Sequence, residues 1–238
     1  MNDTNKGAVR DGVRTHGLTT GEGERNRSAQ AGLTRPVLVS AVLFMLVTGL
    51  GYPLVTTGIA QVLFPAQAAG SLVLKDGKTV GSAVIGQNVT RPDLFHPRPS
   101  ATTGTDPNDP SQSVDQPYNA ASSGASNLGP TSRKLMDQVA ARVSAYRSEN
   151  GLAADVAVPV DAVTASASGL DPDISPANAM MPAGRGAGAR GVPVETIVEV
   201  IRRQTTDRQF GALGEPRVNV LGLNLALESV PVRQSAAK

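Results

Sequence analysis

Residues 36–58 read "PVLVSAVLFMLVTGLGYPLVTTG", a stretch with no charged side chain. At about 1.5 Å per residue these make a helix about 35 Å long, enough to cross a hydrocarbon core of about 30 Å. The uncharged run extends further, because no charge occurs between Arg35 and Lys75. Pro36 suits the first position of a helix, where its missing N–H would have no helical acceptor in any case. The stretch is therefore expected to be a transmembrane helix over 36–58. Arg25, Arg27 and Arg35 precede it, whereas the first basic residue beyond it is Lys75, with Asp76 beside it. Positive charge favours the cytoplasmic side, which puts the N-terminus inside and everything after the span outside. Three parts follow: a cytoplasmic tail over 1–35, a membrane helix over 36–58 and an extracytoplasmic domain over 70–238.

A cleaved signal peptide is the alternative, since "AQA" at 66–68 resembles a cleavage site. Against it stand the long polar leader, an apolar run longer than a signal core, and hydroxyl residues spaced along the run. Ser40, Phe44, Thr48, Tyr52 and Thr56 recur every fourth residue, with Gly49 close by. Small and hydroxyl groups let helices approach and hydrogen-bond in lipid, so Ser40, Thr48, Gly49, Tyr52, Pro53 and Thr56 form a candidate packing face. A lone anchor whose hydroxyls bond their own backbone fits the pattern equally well. Pro53 has no N–H for the carbonyl of Gly49, which favours a kink there.

The tail is rich in Gly, Thr, Arg and Asn and too poor in large apolar groups to bury a core, so it reads as disordered. It also carries the chain's whole net charge of +2; the remainder is balanced. A basic nucleic-acid surface is thereby excluded. Cysteine is absent, so disulfides, thiolate nucleophiles and zinc–cysteine sites are excluded too. Aromatics are only 3%, against 25 glycines and 17 prolines, so the outer domain should be loop-rich.

Within that domain, "SLVLKDGKTVGSAVIGQN" places two β-branched runs around Asp76-Gly77, the signal of a type I′ hairpin. Residues 91–130 read as one long irregular loop, from their repeated Pro, Asp, Gly and Ser. A helix is predicted from Thr131 or Ser132 to Asn150-Gly151, with Leu135, Val139, Val143 and Tyr146 on one face. A second fits Pro193 to Thr206, with Val194, Ile197, Val198 and Ile201 on one face. The run "RVNVLGLNLALESV" satisfies both periodicities and is read as a short strand and then a helix. The fold class is α+β with a small sheet.

No catalytic motif completes. Gly77-Lys78-Thr79 resembles the end of a phosphate loop, but the required upstream glycine is Leu72. His96 is the one histidine outside the tail, and no serine lies in a nucleophile elbow. In "TASASGLDPDISPANA", residues 164–179, Asp171, Asp173 and Ser175 start like a calcium loop, but its sixth and twelfth positions are Pro176 and Pro182. Ser175-Pro176 is instead an N-cap with Pro at the first helical position. That stretch reads as a rigid turn whose surface, with Asp171 and Asp173, serves assembly. Arg98, between two prolines, is held extended and either meets a partner carboxylate or is solvated.

Six blocks carry a resemblance: "TGLGYPLVTTGIAQVLFPAQAAGSLV", "GSAVIGQN", "FHPRPSAT", "YNAASSGASNLGP", "VPVDAVTASASGLDPDISPANA" and "GEPRVNVLGLNLAL". In this order, from about Arg35 to Leu227, they resemble the C subunit of the bacterial Kdp potassium-importing ATPase. The resemblance implies a non-catalytic, single-span accessory subunit of a high-affinity, ATP-driven potassium uptake complex in the bacterial inner membrane. Its implied partners are a channel-like potassium-binding A subunit, a P-type ATPase B subunit, a small F subunit and membrane lipid. It implies no tightly bound cofactor, with ATP reached through the complex. Two family roles are implied: a chaperone that raises nucleotide affinity, through Ser123, Gly124, Ser126 and Asn127, or an outer cap over the potassium entrance. The charge argument puts those four residues outside, where ATP is scarce, and Ala125 replaces the second glycine of the family segment. The stretch "MMPAGRGAGARGV" also departs from the family, and its extra glycines are expected to loosen it, with Arg185 and Arg190 in place of the usual arginines.

Overall fold

A computed structural model of the chain describes residues 21–230. It contains two compact units, divided between Phe64 and Pro65. The first is helical: α1 (Gly21–Leu46), a π-helical turn (Val47–Gly51) and α2 (Tyr52–Leu63). Residues 32–63 form a helical stretch long and apolar enough to cross a membrane. The helix exceeds the expected 36–58 at both ends. It continues past Gly58 because one glycine costs only about 1 kcal/mol there, and it stops where Phe64 leaves helical geometry ahead of Pro65. It starts at Gly21, so residues 21–35 are helical and not irregular, and Pro36 lies inside α1. No proline precedes Pro36, and "ERNRSAQA" consists mainly of fair to good helix formers. Residues 1–20 of the expected tail lie outside the described residues.

The kink expected at Pro53 takes the form of the π turn. The N–H of Tyr52 reaches back five residues to Val47 O, widening the turn immediately before the residue that cannot donate.

The second unit opens with a one-turn helix, α3 (Pro65–Ala68), and the hairpin β1 (Leu72–Lys75) and β2 (Lys78–Ser82). Asp76 and Gly77 both have positive φ, 51° and 75°, as a type I′ turn requires. The expected long loop holds a second hairpin, β3 (Thr103–Thr105) and β4 (Ser113–Asp115), and is otherwise irregular. Next comes α4 (Arg133–Asn150), capped by Ser132, whose Oγ accepts from Leu135 N–H, and ended by Gly151 at φ 62°. Then follow α5 (Val160–Val163), β5 (Asp173–Ile174), α6 (Pro176–Met180), α7 (Ala183–Arg190) and α8 (Val194–Gln204). The chain closes with β6 (Thr205–Thr206), β7 (Arg217–Asn219) and α9 (Val220–Glu228). Ser175 Oγ caps α6 by accepting from Asn178 N–H, as its sequence suggested.

β7 is the centre of an antiparallel three-stranded sheet, with Val218 opposite both Ile174 and Thr205. Against it pack Ile197 and Ile201 from α8 and Leu223 and Leu227 from α9, all fully buried. The glycine-rich stretch 183–190 is the ordered helix α7, contrary to the loosening expected of it. Gly184 and Gly188 face open space, whereas a Cβ at Gly186 would lie 3.4 Å from the Phe95 ring. Tight packing on a ring and on Ile197 offsets the poor helix propensity of glycine.

Candidate assembly surface

Residues 91–98, "RPDLFHPR", have no regular structure, yet they are pinned from three directions. Phe95 is buried, and its N–H and C=O are both taken by one side chain: Phe95 N donates to Asn224 Oδ1 at 2.9 Å and Asn224 Nδ2 donates to Phe95 O at 3.0 Å. Arg190, itself buried, donates to Asp93 O at 2.9 Å. Arg185 donates to the carbonyls of Pro92 and Leu94, and its Nε to Asn150 Oδ1 at 3.0 Å. Buried polar groups cost little when satisfied in this way, and here their partners lie far off in sequence. The two arginines thus hold a strap to the core.

A cleft of about 390 Å³ lies between the strap and α4, lined among others by His96, Arg98, Tyr118, Tyr146, Glu149 and Arg185. The ring nitrogens of His96 contact Arg91 O at 2.9 Å and Glu149 Oε1 at 3.2 Å, which leaves neither for a serine. Among the described residues no cluster of His, Asp and Glu is placed to hold a metal ion.

Arg98 is engaged within the chain, with a quarter of its side chain exposed. It pairs with Asp171 at 3.1 Å and also reaches Thr164 Oγ1 and Ala165 O at 3.4 Å. The Tyr118 hydroxyl donates to Arg98 O at 2.7 Å. Asp173 is tied to that pair through its backbone, its N–H donating to Asp171 Oδ1 at 3.1 Å, while its own carboxylate is bonded to Arg217 at 3.2 Å and to Asn219 Nδ2 at 3.1 Å. Burial raises the Asp173 carboxyl above its ordinary range, and Asn219 and Arg217 oppose that rise.

The stretch 164–172 is a seam on which the other loops are stitched. Ser166 N donates to Pro99 O, Ser100 Oγ to Gly169 O, Gly86 N to Leu170 O and Val220 N to Pro172 O. Ser123 Oγ and Gly124 N both donate to Ser168 O at 2.9 Å. Ser126 and Asn127 are exposed in the loop leading to α4. Of the four residues of the family nucleotide segment, the first two therefore have donors already engaged within the chain. A phosphate cradle needs unspent backbone N–H groups, and the one at Gly124 is spent.

In the apolar helix, Ser40 Oγ donates to Val37 O, Thr48 Oγ1 to Phe44 O, and Thr56 Oγ1 to Tyr52 O. A straight helix turning about 100° per residue would carry the stripe about 160° around its surface between Ser40 and Thr56. One added residue in the π turn takes back about 100° of that drift, leaving Ser40, Tyr52 and Thr56 within about 60° of one another and Thr48 within about 80° of Ser40.

Tyr118 and Tyr146 give the cleft a pH signature. Burial first, then the charge of Asp171, pushes the Tyr118 hydroxyl well above the ordinary tyrosine range, with Arg98 opposing. Burial, then Asp161, does the same to Tyr146, which donates to Asn178 Oδ1 at 2.9 Å. Above about pH 10 the unfolded chain loses these protons while the folded chain keeps them. Stability is then full below about pH 10 and falls as pH rises, with solvent screening of these half-buried groups reducing the slope. Denaturation midpoints between pH 9 and 11.5 should show this slope, and it should flatten in the Tyr118→Phe/Tyr146→Phe variant; an unchanged slope would place its origin elsewhere.

Comparison with known proteins decides the family. The family described as "K+-transporting ATPase, c chain" (KdpC) matches residues 34–229, a range that takes in most of the apolar helix and all of the strap and seam. This chain belongs to the KdpC family. Potassium-transporting ATPase KdpC subunits of Methylobacterium nodulans, Rhodopseudomonas palustris and Bradyrhizobium diazoefficiens are similar to it. The first is 55% identical over 196 residues, covering 82% of this chain and 96% of the relative. The other two are each 54% identical, over 195 and 194 residues, covering 82% of this chain and 96% and 95% of the relatives. Membership makes the chain a subunit of a P-type potassium-transporting ATPase, in keeping with the α+β unit behind one apolar helix. Of the KdpC features described here, the sequence had singled out Arg98, Asp171, Arg185 and Arg190 but not Asn224. Its signal was a lone amide in the apolar run "LGLNLAL", a polar group that must find a partner when buried.

Proposed function

We propose that this KdpC chain is a non-catalytic assembly subunit, anchored with its N-terminus in the cytoplasm, whose outer unit caps the potassium entrance of a channel-like A subunit. On this reading a P-type B subunit binds and cleaves ATP, and a small F subunit and lipid complete the surroundings of the helix. The observation that carries it is the use of the Gly124 N–H and the Ser123 hydroxyl on Ser168 O, which leaves the family nucleotide segment serving structure. The charge distribution agrees, with Arg25, Arg27 and Arg35 shortly before the span and no basic residue after Arg35 until Lys75. The hydroxyl and glycine face of the helix, at Ser40, Thr48, Gly49, Tyr52 and Thr56 beside Pro53, serves as the contact to partner helices, gathered on one side by the π turn. Arg98, Asp171 and Asp173 act indirectly, by fixing the seam that the docking surface is built on. A secreted, cleaved protein is not favoured, because the family match begins at residue 34 and includes the span.

Ser123→Cys tests the topology in a chain that has no other cysteine. Ser123 is exposed, so a membrane-impermeant maleimide should label it in intact spheroplasts. Labelling only after lysis would reverse the orientation and restore the nucleotide reading.

A further inference from the structure

The connection between β6 and β7 is the most exposed ordered segment of the outer unit. Residues 206–215 are all exposed, and Phe210, at its tip, is 96% exposed, with Leu213 beside it at 60%. The unit's other aromatic side chains, Phe95, Tyr118 and Tyr146, are buried or half-buried. A chain with so few aromatic groups leaves one of them wholly in water, on a loop built to hold it there.

That loop is closed, not slack. Gln209 and Leu213 exchange both backbone hydrogen bonds at 2.9 Å, and Ala212 N donates to Gln209 O at 3.2 Å. Phe210 and Gly211 turn through the left-handed region, at φ 52° and 72°. Below the tip Arg208 pairs with Glu215 at 2.5 Å. The base continues into β7, whose Val218 is fully buried in the core. The aromatic ring is thus held on a short two-stranded arm whose shape is set before anything binds, which lowers the ordering cost of association.

We propose that this arm is a docking knob and that the Phe210 ring fills an apolar recess on another subunit of the potassium-transporting ATPase. The proposal rests on the reading that the outer unit docks within the complex. A protein recess, and not a lipid surface, is the occupant that the charges favour. Membrane-inserting tips draw on cations free to meet anionic headgroups. Here Arg203, Arg208 and Arg217 are each committed to a carboxylate of this chain, Arg202 alone among the nearby described arginines is exposed without one, and the tip from Gln209 to Gly214 carries no charge. A buried aromatic anchor with a neutralised rim is what the centre of a protein interface uses.

The test uses the full chain in the assembled complex. With benzoylphenylalanine at position 210, irradiation should cross-link this chain to another subunit. Cross-linking to lipid, to a second copy of this chain, or to nothing above the level at an exposed control position such as Asp137 would overturn the proposal. Phe210→Ala should weaken association with the remaining subunits at least about 30-fold, the loss expected of an interface hot spot. Its melting temperature should stay within about 2 °C, since the ring supports nothing in the folded chain. Undiminished association would also overturn the knob. Should Ser123→Cys label from outside while both tests at 210 fail, the knob alone is wrong; cytoplasmic labelling would overturn the docking reading together with it.

Discussion

Phe95→Ala is expected to remove about 3–5 kcal/mol of stability, a large part of the 5–15 kcal/mol that holds a domain folded. The ring is 1% exposed and lies against Gly186 of α7, in a core cluster to which α7 also contributes Ala183 and Ala187. Such small residues have no side chain that can swing into the space left behind, so the cavity stays open and its full cost is felt. The Asn224 amide would still hold the strap backbone at residue 95, so the strap should loosen without leaving the core. Urea denaturation of the detergent-solubilised chain, followed by circular dichroism, measures the loss. Gly186→Leu in the Phe95→Ala background should restore part of it, because a Cβ at 186 points at the position of the missing ring. A loss below about 1 kcal/mol would mean that the ring is not the strap's anchor.

The same site shows which parts of the molecule the sequence expresses and which it does not. Local signals were legible: the Asp76-Gly77 turn, the Ser132 and Ser175 caps, the Gly151 stop and the apolar face of α8 all formed as their residues dictate. Each depends on neighbours within a few positions. The strap "RPDLFHPR" read as loop because it has no period, and its order comes from Asn224, Arg185 and Arg190, side chains more than ninety residues away along the chain. No spacing rule encodes such partners. β3 and β4 escaped for a related reason: three residues each, "TGT" and "SVD", are too few to show alternation. The glycines of α7 argue for a loop by propensity, and only the tertiary fit of Gly186 under Phe95 reverses that. The missing donor at Pro53 announced a distortion, but whether the chain kinks or widens depends on the neighbouring turn. For the candidate site, Arg98 and Asp171 were each legible as residues held rigid by proline. That they face one another across 73 positions was not.

Gly169→Ala is the second substitution with a large expected effect, and it bears on function directly. Gly169 lies at φ 69°, where an alanine costs on the order of 1–2 kcal/mol from backbone strain alone. Its Cβ would also lie 2.3 Å from Thr102 Cγ2 and 2.8 Å from Gly124 O. Thr102 is buried, with its hydroxyl donating to Gln116 O at 2.6 Å, so it cannot move aside cheaply. Overpacking of this kind adds about 1–3 kcal/mol, and the total expected loss is about 2–5 kcal/mol. The contact that gives way first should be the one with Gly124, because its loop is exposed on the far side whereas Thr102 is enclosed. Gly124 N would then leave Ser168 O, and the segment 123–127 would come off the seam. Hydrogen exchange at Gly124 should quicken at least about tenfold, with less change at the buried Val218. If the segment's work is structural, the variant should lose association with the other ATPase subunits and gain no affinity for nucleotide. If instead its N–H groups are held in reserve for a phosphate, freeing them should raise ATP binding by the isolated chain. Wild-type stability and exchange in Gly169→Ala would remove the seam itself, since Gly169 is where Ser100, Thr102 and the Gly124 carbonyl meet the 164–172 stretch.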